Sequence, residues 1–269
     1  MMAGKVLDFY EELADFYHLI FEDWENSIAR QAKIMDNLLT LQGLGSPLRI
    51  LDCSCGIGTQ AIGLARMGHR VVASDLSEAA VHRAEKEALQ RGLTITFCVS
   101  DMTSLKEVAE SGFDVVIAMD NALPHLSAGQ LAQAAAAIRR KLKPDGLFMA
   151  SMRDYDALSV ERPTIQKPVF YGVPGSRRIV HEVWDWAAST GEDARYTLHV
   201  YITIESERGW KAHHFVSEYR CLLRGELKAV LNDAGFTDIR WIMPQESGLY
   251  QPIVLARLTP QDGSLADRA

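Results

Sequence analysis

Between residues 48 and 152, short apolar runs alternate with longer segments of helical spacing. Residues 49–53, 70–74, 94–99, 113–118 and 147–152 read as strands. Residues 59–67, 77–90 and 128–142 read as the helices between them. Ser77 stands where the second of these needs an N-cap. Gly68, Gly92, and Pro144 with Gly146 close the three in turn. Strands separated by helices of this length imply right-handed crossovers and a parallel sheet.

Upstream, residues 5–42 read as helical, with Ile28, Ile34, Met35, Leu38 and Leu39 at helical spacing and Gly43, Gly45 and Pro47 as the break. Tyr10, Phe16, Tyr17, Phe21 and Trp24 crowd this segment, as core packing or as the wall of a site. Downstream, from about 165 to 222, no long helix is expected. Runs such as RIVHEVWDW, RYTLHVYITIE and AHHFVSEYRCLL are rich in β-branched and aromatic residues, and Gly172, Pro174, Gly175, Gly191 and Gly209 punctuate them. They predict antiparallel strands inserted into the main domain. A helix over 223–234 and strands over 237–242 and 250–258 follow. The short loop between these last strands makes them antiparallel neighbours. Residues 259–269 read as a frayed tail.

At 269 residues the chain is long enough to bury a large core without staples. Its 28 Lys and Arg against 35 Asp and Glu leave a net charge of −7, which argues against a nucleic-acid backbone as partner. Four cysteines are too few for a disulfide scaffold, and no zinc-like spacing occurs. His213 and His214, adjacent on an expected strand, point to opposite faces, so no metal site is expected. The opening MMAGKVLDFY lacks a signal-peptide apolar region, and no stretch reads as a membrane span. A cytoplasmic protein is the expectation.

The strongest chemical signal is ILDCSCGIGT, residues 50–59, a buried strand running into a glycine-rich turn and a helix. Ligands of open α/β sheets sit at the carboxyl ends of the strands, and Gly56 and Gly58 let one approach the backbone. Two readings compete. Gly56, Gly58 and Ala61 satisfy a relaxed dinucleotide fingerprint. Against it, Asp52, Asp75, Asp101 and Asp120 stand at the ends of successive strands, where a pyrophosphate is unwelcome and a cationic, hydrogen-bond-donating ligand is favoured. S-adenosylmethionine suits that ring of acids. Its ammonium would lie near Asp52 and the Gly56 backbone, its ribose hydroxyls at Asp75 beside Leu76, and its adenine at Asp101 and Met102. An acid after a strand is also a common turn residue or cap, although three in succession weaken that explanation.

The motifs ILDCSCGIG, VVASDLS, VSDMT, GFDVVIAMDNALPHL and KLKPDGLFMA together resemble the class I S-adenosylmethionine-dependent methyltransferases, over about 48–152 and again over 223–258. The resemblance implies a Rossmann-like α/β fold. Its sheet is seven-stranded and mostly parallel, with the last strand antiparallel. Residues 1–47 would form an N-terminal helical lid. Residues 48–258 would form the domain, with the antiparallel insertion after strand five at about 160–222. Ser54 departs from the family, which more often has Gly or Ala there. Within the class the chain resembles the glycine and sarcosine N-methyltransferases through its aromatic N-terminal segment with Tyr17 and Trp24, through Arg30, through DNALPHL (120–126) and through SMRDYD (151–156). That resemblance implies Arg30 on the cofactor carboxylate and Arg153 on a substrate carboxylate. It adds Tyr10, Trp24 and Asp120 to the cofactor site.

Arg153 also has the guanidinium fork that matches a carboxylate, although a surface pair with Asp154 or Asp156 would employ it equally. Tyr17, Tyr155, Asn121 and His125 complete the expected catalytic set, with the tyrosines at the acceptor nitrogen in place of an ionised carboxylate, which would raise an amine's pKa. The reaction expected is methyl transfer to the nitrogen of a small amine such as glycine, sarcosine or dimethylglycine. A tailoring N- or O-methyltransferase of a larger metabolite and a non-catalytic S-adenosylmethionine-binding protein are the alternatives. A homo-oligomer is compatible with the sequence.

Overall fold

The computed structural model describes residues 2–189 and 194–258. The expected frayed tail, 259–269, and the turn glycine Gly191 lie outside the described residues. The sheet contains β1 (Arg49–Asp52), β2 (Arg70–Asp75), β3 (Thr96–Val99), β4 (Phe113–Ala118), β5 (Leu142–Ser151), and later β10 (Phe236–Ile242) and β11 (Ile253–Leu258). Its order is β10-β11-β5-β4-β1-β2-β3. β11 runs antiparallel to both neighbours, while the pairs among β1 to β5 are parallel.

Period-two alternation divides the core between the two faces of this sheet. Leu51, Val116 and Phe148 share one apolar cluster, and Ile50, Val115, Ile117 and Met149 share another. All seven are essentially inaccessible to solvent, as expected where helices cover both faces of a parallel sheet. The second face is covered by α2 (Trp24–Leu41), through Met35, Leu38 and Leu39, and by α3 (Thr59–Arg66), through Ala61 and Leu64. The first face is covered by α1 (Met2–Leu13), α5 (Ala128–Lys141) and the insertion.

The N-terminal segment, expected to be helical over 5–42, is helical with a break. α1 ends at Leu13, a 3-10 turn follows at Tyr17–Ile20, and α2 starts only at Trp24, with the Asp23 carboxylate accepting from the Asn26 backbone N–H. The break places the aromatics in different surroundings. Tyr10 and Tyr17 turn toward the sheet edge, whereas the Trp24 indole donates to Thr59 Oγ1 at 2.8 Å and so pins α2 to the start of α3.

The insertion has one more element of each kind than the sequence indicates. α6 (Tyr155–Glu161) is capped by Asp154, and β6 (Ile165–Tyr171) lies on the edge of an antiparallel sheet whose order is β6-β7-β8-β9. The other three strands are β7 (Arg178–Trp186), β8 (Arg195–Ser206) and β9 (Gly209–Arg220). Their inner face carries the buried side chains Val180, Trp184, Tyr196, Leu198, Val200, Phe215 and Tyr219. Arg178 donates to the Leu19 and Glu22 carbonyls at 2.8 and 3.0 Å, and Lys5 pairs with Glu218 at 2.8 Å. The N-terminal segment is therefore tied to the insertion as well as resting on the sheet.

Candidate active site

Two cavities meet at the carboxyl edge of the sheet. The inner one, of about 110 Å³, lies between the β1 turn and α1 and is lined by Gly56, Asp75, Leu76, Asp101, Met102, Tyr10, Tyr17, Asp120 and His125. All nine belong to the candidate set from the sequence. Gly56 has φ of +50°, and a Cβ built on it would meet nothing within 4 Å, so the cradle is open where a ligand would lie. Asp75 accepts from the backbone N–H of Gly56 at 2.8 Å and of Ser77 at 3.0 Å, and burial raises its pKa. A largely apolar hollow with one fixed carboxylate suits a nucleoside.

Four expected cofactor residues stand elsewhere. Gly58 does not line the hollow: it has φ of +92° and begins α3, and a Cβ there would lie 3.0 Å from Ile62 and 3.1 Å from Ala84. Its role is close packing. Trp24 is committed to Thr59, as described above. Arg30 lies along the outer cavity, where its one side-chain hydrogen bond among the described residues is 3.5 Å long, to the Gly248 carbonyl. Asp52 lies beneath the turn, outside the lining. Its Oδ1 accepts from Ser54 N–H at 3.3 Å, while Oδ2 is buried without a partner among the described residues. Burial lifts its pKa to about 7.

The outer cavity, of about 1210 Å³, runs between the N-terminal segment, α6 and the inner face of the insertion. It shares Tyr10, Tyr17 and Asp120 with the inner one. Asp120 is thus the carboxylate at the junction. Asp120 and Asn121 have φ of 60° and 70°, a conformation costing about 1–3 kcal/mol at each non-glycine residue. Ser151 holds the turn: its Oγ accepts from Asp120 N–H at 2.8 Å and its carbonyl from Asn121 N–H at 3.0 Å. The strained turn aims Asp120 into the junction, where its oxygens accept from Tyr250 at 2.6 Å and Tyr17 at 3.3 Å. Burial raises its pKa, and the two hydroxyls and Arg153 oppose that rise.

Arg153 is partly buried, and it pairs with neither Asp154 nor Asp156. One guanidinium nitrogen contacts both Glu182 oxygens at 2.9 and 3.0 Å, another donates to Tyr196 at 3.0 Å, and the group stacks 4.6 Å above the Trp184 ring. The fork expected to receive a substrate carboxylate already holds an internal one. Tyr155 is fully buried, bonded to Asn121 Oδ1 at 3.1 Å and to Tyr196 at 3.0 Å, and lines neither cavity. It supports Asn121 from behind. Asn121 faces the outer cavity with Oδ1 fully engaged, since it also accepts from Arg153 N–H at 3.1 Å.

His125 is held neutral, its pKa lowered to about 4 by burial. Its Nδ1 faces the Glu218 carbonyl at 3.2 Å and must donate, so Nε2 accepts from the Tyr10 hydroxyl at 3.0 Å. Glu182, Tyr250 and Gln251 were absent from the sequence candidates. Tyr250 and Gln251 sit in the loop between the last two strands, whose tips reach the same sheet edge.

Residues 50–146 match the family model described as a methyltransferase domain. A protein of Geobacillus sp. (strain WCH70) named as a methyltransferase is 30% identical over 146 residues, 52% of this chain and 56% of that protein. The ubiquinone biosynthesis O-methyltransferase of Roseobacter denitrificans is 38% identical over 104 residues, 39% of this chain and 40% of that one. The chain thus spans about half the length of the curated relatives it matches. Among solved structures, the S-adenosylmethionine-bound amino pentose methyltransferase CalS10 of Micromonospora echinaspora superposes with a TM-score of 0.67 at 17% identity, over 88% of this chain and 92% of that one.

The fold is that of the class I methyltransferases, an α/β Rossmann-like sheet with an added antiparallel sheet. Over residues 50–146 the chain is similar to methyltransferase domains, and CalS10, whose fold it shares, is solved with S-adenosylmethionine bound.

Proposed function

We propose that the protein methylates the nitrogen of an amine on a metabolite larger than a free amino acid. The observation that supports this most is the charge at the junction. Asp120, Arg153 and Glu182 all line the outer cavity. The outer cavity as a whole is lined by six acids against two arginines, an excess of negative charge that suits a cationic amine, and Asp120 is the one of these acids that also lines the inner cavity. A carboxylate-bearing acceptor would have to displace Glu182 from Arg153, which weighs against glycine, sarcosine and dimethylglycine. The cavity volume and the fold shared with CalS10, an amino pentose methyltransferase, point the same way.

Bound S-adenosylmethionine supplies an activated methyl group with its leaving group built in. The remaining task of the chain is to align a nitrogen lone pair and keep water out. An amine arrives protonated at neutral pH. Asp120 accepts the ammonium as a charge partner and then takes one proton: an N–H bond breaks, an O–H bond forms on the carboxyl, and the lone pair is freed. Burial, which raises the pKa of Asp120, favours this transfer, while the Tyr17 and Tyr250 hydroxyls hold the carboxyl in place. Gly56, Asp75, Leu76, Asp101 and Met102 hold the cofactor. α1 closes over the inner cavity and opens to admit it.

The test is an acceptor panel read by S-adenosylhomocysteine release, containing amino sugars, aliphatic amines, amino acids and phenols. Turnover with amines that lack a carboxylate supports the proposal. Turnover with phenols alone would move the reading to O-methylation. Cofactor binding without any turnover would favour a non-catalytic binding protein.

A further inference from the structure

The outer face of the insertion carries a row of imidazoles that the methyl-transfer site does not use. His199 on β8 and His214 on β9 project to this face, because the residues beside them in sequence, Leu198, Val200 and Phe215, are buried on the other. His199 Nδ1 and His214 Nε2 face each other at 2.9 Å, with the ring centres 5.1 Å apart and the planes within 13°. The far nitrogen of His199, Nε2, meets Asp185 Oδ2 on β7 at 3.0 Å. His214 is held by the Tyr201 ring, stacked at 4.4 Å and 8°. Both rings are therefore fixed by neighbours, one by a carboxylate and one by stacking; with His199 Nε2 donating to Asp185, Nδ1 of His199 accepts from Nε2 of His214.

We propose that His199 and His214 form a two-imidazole site for one late first-row divalent ion, of the Cu²⁺, Ni²⁺ or Zn²⁺ class, with water completing the coordination. Imidazole nitrogens bind such ions at about 2.0–2.1 Å. Two of them at that distance, subtending about 90 to 110°, stand about 2.9–3.4 Å apart; the ion takes the place of the proton between the facing nitrogens, His214 carrying its proton on Nδ1 instead, and the two rings rotate out of the line of that hydrogen bond. Asp185 supplies the outer carboxylate that metal-bound histidines commonly carry, fixing the tautomer so that Nδ1 of His199 is free to ligate. The strand ladder fixes the backbone beneath, with Tyr201 opposite His214 and His199 opposite Val216. Hard ions such as Mg²⁺ prefer oxygen ligands and would not compete. Reading His214 together with His213 misses this site, because adjacent strand residues face apart while the partner lies on the next strand.

The experiment is calorimetric titration of the untagged full chain with CuSO4, NiCl2, ZnCl2 and MgCl2 in a non-coordinating buffer near pH 7.5, with thermal melts alongside. One equivalent of the three transition ions should bind, tightest for Cu²⁺, and raise the melting temperature, while Mg²⁺ does neither. His199→Ala and His214→Ala should each weaken binding more than tenfold, and Asp185→Asn about tenfold. All three positions are on the solvent-facing side, and circular dichroism confirms that the variants fold. His213→Ala, on the opposite face, should bind as wild type does. The proposal is overturned by absence of binding to the wild-type chain at about 100 μM ion, or by unchanged affinity in any of the three site variants.

Discussion

The inner and outer cavities share one sheet edge but are built in opposite ways. The inner wall comes from residues just after strands: Gly56 after β1, Asp75 at the end of β2, Asp101 after β3. Each is positioned by its own strand and turn. The outer wall is assembled from distant parts of the chain. Asp120 meets Tyr250 across 130 positions and Tyr17 across 103, and Arg153 meets Glu182 on another sheet. On the proposed function, the cofactor side is built by local geometry, and the acceptor side by tertiary packing that can change without disturbing the sheet.

Gly56→Val would strike the local half hardest. A β-branched residue at φ of +50° is strained by about 1–3 kcal/mol, and its methyls enter the hollow. S-adenosylmethionine binding should vanish in calorimetry while the far-ultraviolet circular dichroism spectrum stays native. Normal binding would mean that this turn does not face the cofactor.

Arg153→Ala strikes the tertiary half. It leaves Glu182, whose side chain is only 15% exposed, without its counter-charge. Breaking a pair this buried costs about 3–5 kcal/mol. Urea unfolding should register that loss, and adding Glu182→Gln should recover part of it. A loss under about 1 kcal/mol would show that the pair does not hold the insertion to the sheet.

Asp52→Asn gives a smaller, pH-dependent effect. The carboxyl is pushed up to about 7 from 3.8, so the folded state holds its proton more tightly than the unfolded chain does. The stability this provides is complete below about pH 4 and is lost as pH rises through about 7. Without ligands, the Asn variant should melt close to wild type at pH 4. At pH 8 it should be more stable, by up to about 4 kcal/mol. A difference independent of pH would mean that Asp52 is ionised throughout.

The same contrast explains what was legible in the sequence. The alternation of strands and helices, the antiparallel end and the strand-end residues of the inner lining follow from short-range patterns of strand, turn and cap. Arg153 was found, but its partner was not, because nothing near residue 182 marks a carboxylate destined for residue 153. Tyr155 enters the expected set with the SMRDYD segment and is a buried support, since α6 turns its hydroxyl toward Asn121 and Tyr196. Trp24 and Arg30 are assigned to the cofactor through the family resemblance alone, and here Trp24 is committed to Thr59 while Arg30 lines the outer cavity. Tyr250 sits in a loop with no motif and reaches Asp120 only because β10 and β11 close the sheet.

Asp120 joins the two halves, and Asp120→Asn tests that junction most directly. S-adenosylmethionine affinity by calorimetry and amine turnover would be measured on the same preparation. If Asp120 serves the acceptor, affinity should stay within about threefold while turnover falls about 10²–10³-fold, with the loss partly recovered as pH rises and the amine sheds its own proton. Parallel loss of affinity and turnover would place Asp120 in the cofactor site, and unchanged turnover would remove it from the chemistry.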